Sequence, residues 1–196
     1  AAFCSTVLCR RLSLSYLFYY NLRLLLLPTH LAHDYSMTTI PNLHDLSDPR
    51  IPFVLLFYTL LISLITYCLF ALYKKRLSLF LSISIGSSLL ILPFLPASNL
   101  FVIVGFTIAE RVLYLPSAGF CLLATRLLAP SPRKQPQSRV VRWLRRLVIL
   151  LLLVFHSILT MRRNLDWRTN LTLLQSGVEH QPTNSKLLYN IGLVYH

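Results

Sequence analysis

The chain is 196 residues long, 55% hydrophobic and 13% charged, with a mean hydropathy of +0.62, a balance too apolar for an ordinary soluble domain of this size. Its formal net charge of +13 would suggest nucleic acid in a soluble protein, but the basic loops lack nucleic-acid patterning and their placement follows the positive-inside rule of membrane proteins. The class to test is therefore an all-α, polytopic membrane protein with lipid as its surroundings and no nucleic-acid partner.

Residues 1–50 are the least regular part. The stretch "RRLSLSYLFYYNLRLLLLPTHLAHDYS" at 10–36 carries Arg10, Arg11 and Arg23 among apolar and aromatic residues. Two readings stay open: a poor span, or amphipathic helices lying in the interface with Tyr16, Tyr19 and Tyr20 at headgroup depth. Both put His33 and Asp34 at the same membrane face, and about 12–36 is taken as a re-entrant or interfacial segment. Cys4, Cys9, Cys68 and Cys121 do not form a recognisable disulfide framework and read as buried apolar residues. A start at Ala1 and an end inside a repeat motif suggest a piece of a longer protein.

Spans are expected at about 52–73 and 77–96. The windows 53–73 and 77–97 are 21 charge-free residues each, enough to cross a hydrocarbon core of ~30 Å at ~1.5 Å per residue. Ser82, Ser84, Gly86, Ser87 and Ser88 would let helices approach closely in lipid. Pro93 and Pro96 should end the second span. The following 98–111, "SNLFVIVGFTIAER", is too short to cross and return, so it is expected to be re-entrant or interfacial.

Residues 112–129 and 147–161 complete the expected spans, with Arg126, Arg145 and Arg146 snorkelling at their ends. Between them, "PSPRKQPQSRVVR" at 130–142 has the composition of an exposed linker. Nine of the nineteen bases fall in the two loops joining these spans. If those loops are cytoplasmic, all six acids, Asp34, Asp45, Asp48, Glu110, Asp166 and Glu179, share the opposite face.

The tail from 162 to 196 differs in kind. Leu188, Ile191, Gly192 and Tyr195 fit the first helix of a tetratricopeptide repeat, and one 34-residue period earlier Leu174, Gly177 and Pro182 fit a preceding second helix. A generic helical hairpin is the bland alternative. The membrane part, 1–161, is thus followed by the start of a repeat solenoid, which needs about three units to bury its core. Asn170-Leu171-Thr172 is an N-glycosylation sequon, inside an expected helix.

Three stretches, "SYLFYYNLRLLLLPTHLAHDYSMTTIP" at 15–41, "SNLFVIVGFTIAERVLYLPSAGFCLL" at 98–123 and "RRNLDWRTNLTLLQSGVEHQPTNSKLLYNIG" at 162–192, resemble the transmembrane and tetratricopeptide-repeat-containing family of protein O-mannosyltransferases. "ERVLYLPSAGFC" is the most specific block. The resemblance implies a partial GT-C-like membrane domain in the endoplasmic reticulum and a lumenal repeat array. It implies transfer of mannose from dolichyl phosphate mannose to Ser or Thr of lumenal proteins, with cadherin-type domains as acceptors, and no firm cofactor. Arg23, Tyr35 and Ala118 depart from the family pattern. The resemblance also implies that the main catalytic acid sits in an earlier lumenal loop outside this chain.

Such a transfer needs a carboxylate for the acceptor proton and a cation for the departing phosphate. Asp34 and Glu110 are the candidate acids, and Arg111 is the candidate phosphate partner, its planar fork suited to that anion. Against these stand structural roles: Asp34 as a helix cap, Glu110 and Arg111 as anchors of a turn, since helix neighbours point about 100° apart. His30, His33 and His44 match no metal spacing, and no metal site is expected. A non-enzymatic, membrane-anchored repeat scaffold is the alternative function. A transporter would need internal symmetry, and none is visible.

Overall fold

A computed structural model describes residues 4, 6–36, 39–100, 105–128 and 138–195. Seven α-helices follow in order: α1 (Val7–Leu26), α2 (Ile51–Tyr73), α3 (Leu77–Ile91), α4 (Tyr114–Leu128), α5 (Arg139–Asp166), α6 (Asn170–His180) and α7 (Ser185–Val194). Short 3-10 turns at Leu95–Ala97 and Glu110–Leu113 extend α3 and lead into α4. Among the described residues there is no strand, and the fold is all-helical. Four helical segments, Ile51–Tyr73, Leu77–Ala97, Glu110–Leu128 and Arg139–Asp166, are long and apolar enough to cross a membrane.

α2 and α3 are antiparallel and share a small core of Ala71, Leu79 and Ile83. Their connection is short because Lys75 takes a left-handed backbone, φ 52°. α3 and α4 come closer still. A Cβ on Gly119 would lie 2.3 Å from the Leu90 amide nitrogen and 2.6 Å from the Gly86 carbonyl oxygen, so only glycine lets the two backbones touch. α3 stops at Ile91, two residues before Pro93, as a ring without an amide donor requires. The starts of α2 and α4 and the ends of α3 and α5 thus lie at one end of the bundle, called here the far end.

α1 lies across that end. Of its buried residues, Cys9, Ser13, Leu17, Asn21 and Leu24 recur at three and four positions and form one face, while Ser15 lies off it. Near its start, the Leu43 amide donates to Ser13 Oγ at 2.9 Å. In its middle, Tyr19 stacks on Phe53 at 5.0 Å and Ser15 Oγ lies 2.8 Å from the Tyr58 hydroxyl. Near its end, Leu17 and Leu24 join Ala32, Tyr35, Ile108 and Leu113 in the larger core. These contacts set α1 against the far end of the bundle and the first two turns of α2. Tyr16, Tyr19 and Tyr20 are spent on Arg50, Phe53 and Tyr35.

Two local expectations need correction. Cys4 and Cys9, with Cα atoms 5.6 Å apart, are joined in a disulfide, where the sequence suggested apolar thiols. Cys68 and Cys121 are free. The stretch expected as linker up to 142 is helical from Arg139, because Ser138 Oγ accepts from the Val141 amide and caps α5; residues 130–137 of that linker lie outside the described residues. α5 buries none of its 28 residues, leaving its apolar middle free for lipid or further helices.

Candidate functional site at the far end

The far end is organised around the 27–50 loop. Asp48 and Arg50 lock its second half: Arg50 Nε and Nη2 donate to Asp48 at 2.9 and 2.7 Å, and the guanidinium also reaches the carbonyls of Pro41 and Asn42. The hydrogen bonds from Arg50 hold the Asp48 carboxyl down to about 2 by favouring its charged form. The first half is locked by Tyr35, which is fully buried. Its amide donates to the Ile108 carbonyl at 2.8 Å, and its carbonyl accepts from the Thr107 amide at 2.9 Å. Its hydroxyl donates to the His30 carbonyl at 2.9 Å and accepts from the Ala32 amide at 3.2 Å. Tyr35 therefore fixes the loop to the 105–109 stretch and sets Asp34 beside the entry to α4.

Asp34 caps no helix. Its carboxylate accepts from Ser36 Oγ and Lys186 Nζ, and its backbone carbonyl accepts from Asn184 Nδ2 at 2.9 Å. Asn184 is itself fully buried, and its Oδ1 caps α7 by accepting from the Leu187 amide. One short segment, 184–187, thus binds both the side chain and the backbone of Asp34. The His30 and His180 rings meet edge to face at 5.2 Å beside it.

Glu110 is held by a second set of contacts. Arg163, near the end of α5, forks onto it through Nε at 3.1 and 3.2 Å and through Nη2, and Trp167 Nε1 donates at 3.1 Å. Arg163 Nη1 goes on to Asp166 at 2.9 Å and to Ser176 Oγ in α6 at 3.0 Å. The two partners' side chains are each only 12% exposed. A fork-to-fork pair at this depth is strong and orientating, and it commits both Glu110 carboxylate oxygens to Arg163.

Arg111 points elsewhere, as adjacent residues must. It is exposed, its guanidinium lies 5.8 Å from the centre of the Phe106 ring, and among the described residues it makes no ion pair. The structure thus separates the acid and base that the sequence sets side by side: Glu110 turns to the tail, Arg111 to open space. His33 lies among these charges. Burial pushes its imidazole below the ordinary range against the pull of Asp34 and Glu110, and among the described residues its Nδ1 has no hydrogen-bond partner.

Asn170 is exposed at the first position of α6. The Thr172 hydroxyl of its sequon is committed to the capping box with Thr169 and donates to the Asp166 carbonyl at 2.8 Å. In the tail, Leu174 and Leu187 are buried, and a Cβ on Gly177 would lie 3.0 Å from a Leu187 methyl. Leu188 and Tyr195 remain 49% and 69% exposed. Among the described residues no group of three or more His, Cys, Asp and Glu side chains could hold a metal ion.

Arg163, Trp167, Lys186, Asn184 and Tyr35 were not singled out as site residues by sequence reasoning. The one available signal was charge: Arg163 and Lys186 are bases on the acid-bearing side of the topology.

Comparison with known proteins bears on the whole chain. The family model described as "Protein O-mannosyl-transferase TMTC, DUF1736" matches residues 1–62. The Protein O-mannosyl-transferase Tmtc3 of Drosophila melanogaster is 39% identical over 185 residues, 93% of this chain and 19% of its own length. Protein O-mannosyl-transferase TMTC4 of Homo sapiens is 35% identical over 194 residues, 98% of this chain and 25% of its length. Human Protein O-mannosyl-transferase TMTC1 is 37% identical over 189 residues, 92% of this chain and 20% of its length. The chain therefore spans about a fifth to a quarter of the length of these relatives. No solved structure matches it.

Proposed function

Along the segment it spans, this chain belongs to the TMTC family, and from that premise we propose that it forms later membrane helices and the first repeat helices of a protein O-mannosyltransferase of the endoplasmic reticulum. The full-length protein moves mannose from dolichyl phosphate mannose to Ser or Thr hydroxyls of lumenal proteins, cadherin-type domains among them. The observation that carries this reading is the likeness to proteins named as O-mannosyl-transferases over more than nine-tenths of the chain. Two further features support the placement of the far end in the lumen. All six acids lie on its side while nine bases crowd the opposite loops, and the Cys4–Cys9 disulfide suits an oxidising compartment.

The residues divide the work. Arg111 contacts the donor phosphate, whose departing charge a guanidinium stabilises. Glu110 and Asp34 act as positioning residues: they tie the end of α5 and the tail helices α6 and α7 to the loops at the far end through Arg163, Asn184 and Lys186. The carboxylate that takes the acceptor proton comes from another part of the full-length protein.

Arg111→Ala in that protein should raise the donor KM and lower transfer by about tenfold or more, as loss of a charge-assisted hydrogen bond of ~1.5–3 kcal/mol implies. Donor kinetics on normally expressed variant will decide; wild-type kinetics would remove Arg111 from the site. A folded wild-type protein that binds lumenal partners but transfers no mannose would favour the scaffold reading.

A further inference from the structure

At the opposite end of the bundle from the acids, Ser82, Ile85, Leu122, Thr125 and Arg126 line an open groove of about 360 Å³ between α3 and α4, within the size range of small-ligand sites. Its hydroxyls are already committed: Ser82 Oγ donates to the Ser78 carbonyl at 2.7 Å and Thr125 Oγ1 to the Leu122 carbonyl at 2.9 Å. The arginine differs. Among the described residues, Arg126 Nε is buried without a hydrogen-bond partner, and the same holds for Arg76 Nε at the start of α3. A buried donor left unpaired is costly, so an acceptor is expected here.

The stretches of this chain that form the groove and its neighbours carry no anion for it. No acid occurs in residues 51–109 or 111–165, and Lys74 and Lys75 add to the positive charge of this end. In a bilayer, at the end of a span, the available anions are lipid phosphates, and the Ile85 and Leu122 side of the groove offers an apolar track for a hydrocarbon chain. We propose that this groove binds one anionic phospholipid of the leaflet beside the basic loops, its phosphate on the Arg126 fork and an acyl chain along Ile85 and Leu122. The site is independent of the transfer chemistry at the far end.

The test uses delipidated full-length protein in mixed micelles with equal amounts of phosphatidylserine and phosphatidylcholine, and counts retained lipids by native mass spectrometry. Wild type should favour phosphatidylserine by about fivefold, the scale of one basic contact to an anionic lipid. Arg126→Gln should bring the ratio close to one. Arg142→Gln, an exposed base outside the groove, should leave it unchanged. Ser82→Phe, which fills the groove from an exposed position, should lower phosphatidylserine retention with Arg126 still present, and it decides the matter if Arg126→Gln does not fold.

Equal retention of both lipids by wild type would overturn the proposal, as would an equal effect of Arg142→Gln or undiminished preference in Ser82→Phe. Displacement of the lipid by inorganic phosphate alone would assign Arg126 to a soluble anion and overturn it too.

Discussion

Glu110 and Arg111 show what a single residue's neighbours can and cannot reveal. Charge segregation sets them with the other acids on one face, and the structure has them in the turn that leads into α4. Their separate roles were not legible in the sequence, because the Glu110 partner lies 53 residues away at Arg163, and local spacing carries no information about such a contact. The same distance effect hid Lys186 from the Asp34 reading. His33, between these pairs, gives the residue-scale prediction. Its folded-state pKa is lowered by burial, so the folded protein takes up this proton at a lower pH than the unfolded chain, which does so near the ordinary value of about 6.5. Unfolding then binds a proton, and stability should fall as pH drops from about 7 towards 5. Unfolding midpoints measured across that range should show the decline in wild type and a shallower one in His33→Gln; parallel curves would refute it.

Among the elements, the long apolar runs behind α2 and α3 were read to within a few residues at either end, because burial in lipid writes itself into composition. α1 was ambiguous for the converse reason: Arg10, Arg11 and Arg23 interrupt its apolar pattern, and only its contacts with Leu43, Phe53 and Ile108 distinguish lying across the bundle from passing through it. The start of α5 was missed because its cap, Ser138, sits in a Pro- and Arg-rich context that reads as linker. The α3–α4 contact yields a sharp test. Gly119→Ala places a methyl group against backbone atoms that cannot move aside, and should destabilise the pair by about 1–3 kcal/mol, the usual cost of overpacking. Gly105→Ala, where none of the described residues lies within 4 Å, should be near neutral. Thermal unfolding in detergent compares the two, and an equal effect would mean that α3 and α4 are not in backbone contact.

At the scale of the whole molecule, membrane helices and tail form one unit through the far end. Asp34 with Asn184 and Lys186 fixes α7, and Glu110 with Arg163 and Trp167 fixes the exit of α5. A repeat array that began at α6 would therefore leave the membrane in a set direction, presenting the open face of α7, with Leu188 and Tyr195 exposed, to the next helix. Such an arrangement suits an enzyme that must bring a protein hydroxyl to a lipid-linked sugar at the bilayer surface, where proximity and orientation supply much of the rate. The most direct test is mannosyl transfer by purified full-length protein, supplied with dolichyl phosphate mannose and a folded cadherin-type acceptor. The account predicts mannose on Ser or Thr of the acceptor; a folded, donor-saturated protein that leaves every acceptor hydroxyl unmodified would contradict it.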